Sequence, residues 1–95
     1  MKVLGEAVVA EFARRRPASR KALQRFVTIA RGAAWPHFPA VKETFAATDY
    51  APATGTLIFN IGGNKYRLVA RVDFEEQLLV VESVLTHGEY VREDF

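Results

Sequence analysis

The hydrophobic pattern of this chain changes its period near Thr48. Before it, apolar residues such as Ala22, Phe26 and Ala30 recur every three or four positions, which is typical of helices with one buried face. After it, apolar and polar residues alternate in short segments, which is typical of strands. Helices followed by strands within 95 residues predict one α+β domain over residues 1–95, a small antiparallel β-sheet with the N-terminal helices packed on one face.

Proline and the helical spacing of apolar residues set the predicted bounds of the first elements. An edge strand is predicted at Lys2–Leu4, followed by a helix at Glu6–Arg15 that Pro17 ends. A second helix is predicted at 18–31 with Gly32 as its C-cap, and a short one at 40–45.

Three strands are predicted at Thr56–Ile61, 65–73 and 78–85. The run Gly62-Gly63-Asn64 separates the first two, and a polar turn at 74–77 separates the second from the third. Because such short connections join antiparallel neighbours, the three strands should form a meander.

Composition excludes several kinds of site. The chain has no cysteine and only two histidines, His37 and His87, so disulfides and a structural zinc site are excluded and no cofactor is expected. No apolar run approaches the roughly 20 residues of a membrane span. Since no secretory leader follows Met1, we expect a cytoplasmic protein.

Charge is distributed unevenly although the formal net charge is only +2. The stretch 12–42 contains no Asp or Glu, and its cations are Arg14, Arg15, Arg16, Arg20, Lys21, Arg25, Arg31 and Lys42. Such a block suits a phosphate backbone or an acidic protein, although a solvated helix face has the same composition. Residues 73–95 are acidic.

The strand at 65–73 carries cations on one face. Strand alternation places Tyr66, Leu68, Ala70 and Val72 on a core face and places Lys65, Arg67, Val69 and Arg71 on the opposite face. A two-residue turn at 62–63 would pair Asn60 with Lys65 and Ile58 with Arg67. Since the strand before it has no acidic residue, an anion site is favoured over a solvated outer face.

Residues 86–90 follow the last predicted strand and contain His87, Glu89 and Tyr90, each of which can transfer a proton. The position after a strand end suits functional groups because the sheet holds one side of the loop. The alternative is a C-terminal turn in which His87 only caps or packs.

Three segments resemble HigB-type toxins of the RelE-like mRNA interferase superfamily. Residues 35–45 match their W-x-x-F-x-x-V-K-x-T-F segment, residues 59–68 match F-N-I-x-G-N-K-Y-R-L, and residues 86–90 match T-H-x-E-Y. The order of the segments is that of the family. Two departures are Gly88, where the family commonly has Ala, and Val91, where it commonly has Asp.

This resemblance implies a RelE-like fold and a metal-independent endoribonuclease that cleaves mRNA, usually on the ribosome, with the ribose 2′-hydroxyl as nucleophile. It implies that Lys65 and Arg67 stabilise the phosphate charge. His87 is the first candidate for proton transfer, with Glu89 or Tyr90 as its partner or substitute.

We further expect a set of polar and basic residues to bind RNA or the ribosome: Arg14, Arg16, Arg20, Lys21, Lys42, Asn60 and Arg71. The implied partners are mRNA, the ribosome and a cognate helix-turn-helix antitoxin resembling HigA. Two alternatives are a non-catalytic module that binds RNA or the ribosome, and a co-repressor subunit that acts with a helix-turn-helix partner.

Overall fold

The structure is a computed structural model that describes residues 1–92, and over this range the chain has the expected α+β fold. The elements, in chain order, are β1 (Lys2–Leu4), α1 (Glu6–Arg15), α2 (Arg20–Gly32), α3 (Phe38–Thr44), β2 (Asp49–Ala51), β3 (Thr56–Ile61), β4 (Tyr66–Asp73), β5 (Leu78–Thr86) and α4 (His87–Arg92). Among these, β2 and α4 were not predicted.

The strands form one five-stranded sheet in the order β1-β5-β4-β3-β2. The predicted meander of β3, β4 and β5 is confirmed, since both pairs are antiparallel. The predicted edge strand β1 is also confirmed, and it pairs with β5 in the parallel direction. The short strand β2 forms the other edge, beside β3.

Helices α1 and α2 pack on one face of the sheet and build the main core with it. Phe12 of α1 and Phe26 of α2 are buried against Phe59 of β3 and Leu68 of β4. The predicted core face of β4 is confirmed, because Leu68 and Ala70 are fully buried with Tyr66 and Val72 packed beside them. Truncating a fully buried residue of this kind typically costs about 2–5 kcal/mol of stability.

The bounds of α2 and α3 differ from prediction by a few residues. A separate 3₁₀ turn occupies Pro17–Ser19, so α2 begins at Arg20 and not at residue 18, and Gly32 is its last helical residue rather than its cap. Proline favours this short turn because its missing N–H is not needed at the first helical position. Helix α3 begins at Phe38, and His37 caps it by accepting the Ala40 N–H at Nδ1 over 3.3 Å.

The predicted register of the β3–β4 hairpin is wrong by two residues. Asn60 pairs with Arg67 rather than Lys65, and Ile58 pairs with Val69 rather than Arg67. The reason is the turn, which spans residues 62–65 instead of two glycines alone and leaves Lys65 outside β4. Gly62 and Gly63 both have a positive φ, near 63° and 70°, a conformation that glycine adopts without strain.

The side of the sheet turned away from α1 and α2, here called the far face, carries a second and smaller buried cluster. Ala51, Ile58 and Val69 form it, with Leu85 and Tyr90 packed against them. Strand alternation places Arg67 on the same face as Val69, as predicted. The far face therefore carries an apolar cluster beside the buried guanidinium of Arg67. Helix α4 covers one end of this face.

Candidate active site

Arg67 is the buried cation at the centre of the site, with only 7% of its surface exposed. Its Nη1 donates to the backbone carbonyls of Asn64 and Tyr66, at 3.3 and 3.1 Å. Its Nη2 donates to Oδ1 of Asn64 at 2.8 Å and contacts Nδ1 of His87 at 3.3 Å. Residues near in sequence thus hold one side of the guanidinium, and the start of α4 meets the other.

All these partners of Arg67 are neutral groups. Across residues 1–92 the ion pairs join Arg14 and Arg15 to Glu11, Arg31 to Glu6, and Arg71 to Glu82. A buried cation without a carboxylate is electrostatically costly, and its field is weakly screened. The arrangement suits an incoming anion that would supply the missing negative charge.

His87 is the first residue of α4 and is exposed. Its backbone N–H donates to the carbonyl of Lys65 at 2.9 Å, which ties the start of α4 to the β3–β4 turn. Since a guanidinium N–H only donates, Nδ1 of His87 is the acceptor, and the neutral ring then carries its proton on Nε2. The His87 imidazole therefore lies directly beside the buried positive charge.

Tyr90 lies one helical turn after His87, on the same side of α4. The Cζ atom of Arg67 is 5.2 Å from the centre of the Tyr90 ring, a cation–π contact. Three of the predicted catalytic residues, Arg67, His87 and Tyr90, are therefore together in the structure.

Glu89 and Thr86 cap α4. The Thr86 N–H donates to the Glu89 carboxylate at 2.8 Å, and the Glu89 N–H donates to the Thr86 hydroxyl at 3.2 Å. This reciprocal pair is a capping box, the sequence signature of a helix start. Residues 86–90 therefore begin a helix and are not the C-terminal turn given as the alternative. The Thr86 N–H lowers the pKa of Glu89 against the opposing effect of burial, with further help from Arg16 and Arg15. Glu89 is thus an ionised capping group.

Lys65 and Asn60 lie next to the site without joining the Arg67 hydrogen bonds. Lys65 is exposed in the β3–β4 turn. Asn60 is half-buried directly across the hairpin from Arg67. It also lines a groove of about 500 Å³ together with Lys21 and Arg25 of α2.

The basic residues predicted to bind RNA or the ribosome are exposed, but two of them are already paired. Arg14 donates to Glu11 at 2.7 Å and lowers the pKa of that carboxyl. Arg71 is held by Glu82 at 3.0 Å and by the Thr54 carbonyl at 2.9 Å. Lys42 is exposed on α3, at the end of the acid-free stretch.

Arg16 has the clearest connection to the site, because its charge acts on Glu89 at the start of α4. The same is true of Arg15, which sequence reasoning grouped with the basic block but did not assign to a site. Asn64 was missed as well. The signal for it was available, since Asn after two glycines is typical of a turn in which the side chain bonds to a later residue.

No group of three or more His, Cys, Asp or Glu side chains within the described range is placed to hold a metal ion. None of the helices found in residues 1–92 is long and apolar enough to cross a membrane.

The chain is similar in sequence to known proteins. A family model described as HigB_toxin, RelE-like toxic component of a toxin-antitoxin system, matches residues 19–93. The chain is 52% identical over 33 residues to the mRNA interferase toxin HigB of Escherichia coli (strain K12). It is equally similar to the mRNA interferases HigB of Escherichia coli O157:H7 and Shigella flexneri.

Those alignments cover 35% of this chain and 32% of each relative, so the similarity to the curated proteins spans about a third of their length. The family model extends much further, from the start of α2 through strands β2 to β5 and α4, and leaves β1 and α1 outside the match. On this match, which spans most of the chain, the protein belongs to the HigB toxin family, the RelE-like toxic component of a toxin–antitoxin system.

Proposed function

We propose that this protein is an mRNA interferase, an endoribonuclease that cuts mRNA on the ribosome and thereby stops translation. The observation that carries the proposal is the contact between the buried Arg67 guanidinium and the exposed His87 imidazole at 3.3 Å. It supports the proposal because a guanidinium suited to phosphate recognition contacts an imidazole suited to proton transfer, in a chain of the HigB family. The HigB relatives from Escherichia coli and Shigella flexneri are mRNA interferases.

The proposed reaction begins with the ribose 2′-hydroxyl next to the scissile phosphate. A base removes its proton, the oxygen bonds to phosphorus, and the bond from phosphorus to the 5′-oxygen of the next nucleotide breaks. That leaving oxygen takes a proton, which leaves a 2′,3′-cyclic phosphate and a 5′-hydroxyl. The protein must supply in-line geometry, charge stabilisation on the phosphate and proton transfer.

Arg67 is suited to the charge stabilisation. A guanidinium held by fixed neutral dipoles needs little rearrangement when negative charge develops beside it. Its contact with His87 is longer than the contact with Oδ1 of Asn64, 3.3 Å against 2.8 Å. We infer that a phosphate oxygen takes the place of His87 on Nη2.

His87 is suited to the proton transfer, since imidazole exchanges protons near neutral pH. Displacement from Arg67 would leave both ring nitrogens available to the 2′-hydroxyl or to the leaving oxygen. Tyr90 lies beside the same guanidinium and is the neighbouring proton-transfer candidate. Glu89 is the weakest of the three candidates because its carboxylate caps α4.

The exposed cations near the turn between α1 and α2 suit docking on ribosomal RNA. Arg16, Arg20 and Lys21 are exposed in or near the turn between α1 and α2. Unlike Arg14, they take part in none of the ion pairs within residues 1–92. We therefore propose that the protein acts in the cytoplasm, on the ribosome. We also propose that a cognate helix-turn-helix antitoxin is its inhibitory partner.

Inducible expression in a bacterial host that lacks the antitoxin tests this function. We expect growth arrest, with new mRNA 5′ ends inside coding regions, and recovery when the antitoxin is co-expressed. Arg67→Ala is the matched control and should abolish both effects. Unimpaired growth at confirmed soluble expression would contradict the proposal, whereas arrest by Arg67→Ala without new 5′ ends would favour a non-catalytic ribosome-binding module.

A further inference from the structure

Asn64 contacts the Arg67 guanidinium at two points. Its side-chain Oδ1 accepts from Nη2 at 2.8 Å, the shortest of the hydrogen bonds to Arg67, and its backbone carbonyl accepts from Nη1 at 3.3 Å. Both accepting atoms belong to one residue, so the plane of the guanidinium is fixed relative to the β3–β4 turn.

The conformation of the β3–β4 turn is set by the residues before and after Asn64. Gly62 and Gly63 bend the chain through positive φ angles just before Asn64. Directly after it, the carbonyl of Lys65 accepts the His87 N–H at 2.9 Å. The position of Asn64 is therefore coupled to the start of α4 as well as to Arg67.

The Asn64 side chain is uncharged, and this determines what it does to the charge of Arg67. An aspartate would have the same shape as Asn64 and would bond to the same nitrogen, but it would form a charge-assisted pair with the guanidinium. That pair would cancel the charge that an incoming phosphate needs. An amide oxygen holds the guanidinium in place and leaves its charge uncancelled.

We propose that Asn64 is a positioning residue, which orients Arg67 by its amide oxygen without neutralising it and so keeps the guanidinium charge for the scissile phosphate. This rests on the proposed function of Arg67 in mRNA cleavage. Asn64 itself acts through Arg67 and does not touch the substrate.

Two substitutions separate this role from a merely structural one. Asn64→Asp keeps the contact and adds a charge, whereas Asn64→Ala removes the side-chain contact and adds none. A positioning role that depends on neutrality predicts cleavage rates in the order parent, Asn64→Ala, Asn64→Asp, with the Asp variant at least about tenfold below the parent. Thermal unfolding should give a different order, with Asn64→Asp at least as stable as the parent and Asn64→Ala least stable. An Asp variant that cleaves faster than the Ala variant would overturn the proposal, because a structural role requires only the contact.

A second measurement does not depend on cleavage. The Arg67 side-chain Nε–Hε signal in NMR spectra is followed while inorganic phosphate is added to the whole protein. We expect saturable shifts for the parent, and at least about tenfold weaker binding for Asn64→Asp. Gln24→Glu, which adds the same charge in the groove between α1 and α2, should bind phosphate as the parent does.

The two measurements distinguish failure of the inference from failure of the proposed function. Equal phosphate affinity in the parent and Asn64→Asp overturns the role of Asn64 even when the parent cuts mRNA. A second outcome is that the parent binds phosphate and Asn64→Asp does not, but the parent fails to cut mRNA. That result supports the positioning role of Asn64 and contradicts the nuclease function. A parent whose Arg67 signal does not respond to phosphate overturns the inference.

Discussion

Arg67 is the residue whose replacement should have the largest chemical effect. Arg67→Ala removes the fixed charge that we propose stabilises the scissile phosphate, and a comparable electrostatic deletion lowers a rate on the order of 100-fold. Arg67→Lys should rescue only partly, because an ammonium group cannot hold two phosphate oxygens in one plane. The measurement is single-turnover cleavage of ribosome-bound mRNA, with folding checked by circular dichroism. Near-parental rates for folded Arg67→Ala would contradict the electrostatic role.

His87→Ala should slow cleavage and also change its pH dependence. If imidazole transfers the proton, its removal deletes one limb of the pH–rate profile and lowers the rate by roughly 100-fold. Ribosome co-sedimentation should stay at the parental level, since the proposed docking residues lie elsewhere. A slower enzyme with an unchanged pH profile would move proton transfer to Tyr90.

The sequence allowed the candidate residues of the site to be named, but it did not predict their surroundings. Arg67 and His87 follow from strand alternation and from the resemblance to HigB-type toxins. The burial of Arg67 could not be predicted, because it depends on α4 folding back over the far face. The contact that results joins Arg67 to His87, which lies 20 residues later in the sequence. The role of Glu89 was predicted as chemical, but its spacing from Thr86 is that of a capping box.

Helix α4 should be sensitive both to its cap and to acid. Thr86→Ala removes the hydroxyl that accepts the Glu89 N–H and should cost about 1 kcal/mol in the free energy of unfolding. The Thr86 N–H lowers the pKa of Glu89 in the folded protein, so the stabilising contribution of Glu89 is fully present above the ordinary carboxyl pKa and is lost as the pH falls through the lowered pKa of the folded state.

Urea unfolding of the parent and Glu89→Gln over a range of about pH 3 to 7 tests this sign. Glutamine can accept the same Thr86 N–H without titrating, so the advantage of the parent should shrink as the pH falls. A stability difference that is constant with pH would contradict the ionised cap.

The basic turn between α1 and α2 should dock the protein on ribosomal RNA. Reversing the charges of Arg16, Arg20 and Lys21 together should weaken co-sedimentation with ribosomes, and the parent should lose binding more steeply than this variant as salt increases. Arg31→Glu is the control, because Arg31 pairs with Glu6 and is not among the proposed docking residues. If the triple variant sediments as the parent does, these cations form only a solvated surface.

At the scale of elements, the periodicity of apolar residues predicted the long amphipathic helices and strands correctly. The helix α1 has the predicted bounds and the meander has the predicted strands, because each buries a regular stripe of apolar residues. The strand β2 has only three residues, two of them exposed, so it left no alternating signal. The two-residue error in register arose because the length of a glycine turn is decided by backbone angles and not by composition.

At the scale of the whole molecule, the order of helices followed by strands was sufficient to predict the α+β architecture. The five-stranded order was only partly predictable, since the parallel pairing of β1 with β5 joins the two ends of the described chain. Contacts between positions so distant in sequence are not encoded in local pattern. The site is formed by the same kind of contact, because α4 returns to the β3–β4 turn.

Identification of the cut ends most directly tests the central claim that this protein cleaves mRNA by attack of the ribose 2′-hydroxyl. Purified protein is added to ribosomes that hold an mRNA, alongside a matched mRNA with a 2′-deoxy nucleotide at the mapped site. We predict 5′-hydroxyl and 2′,3′-cyclic phosphate ends from the first mRNA, none at that site from the second, and none from either with Arg67→Ala. Cleavage of the 2′-deoxy mRNA at the same position and rate would contradict the account.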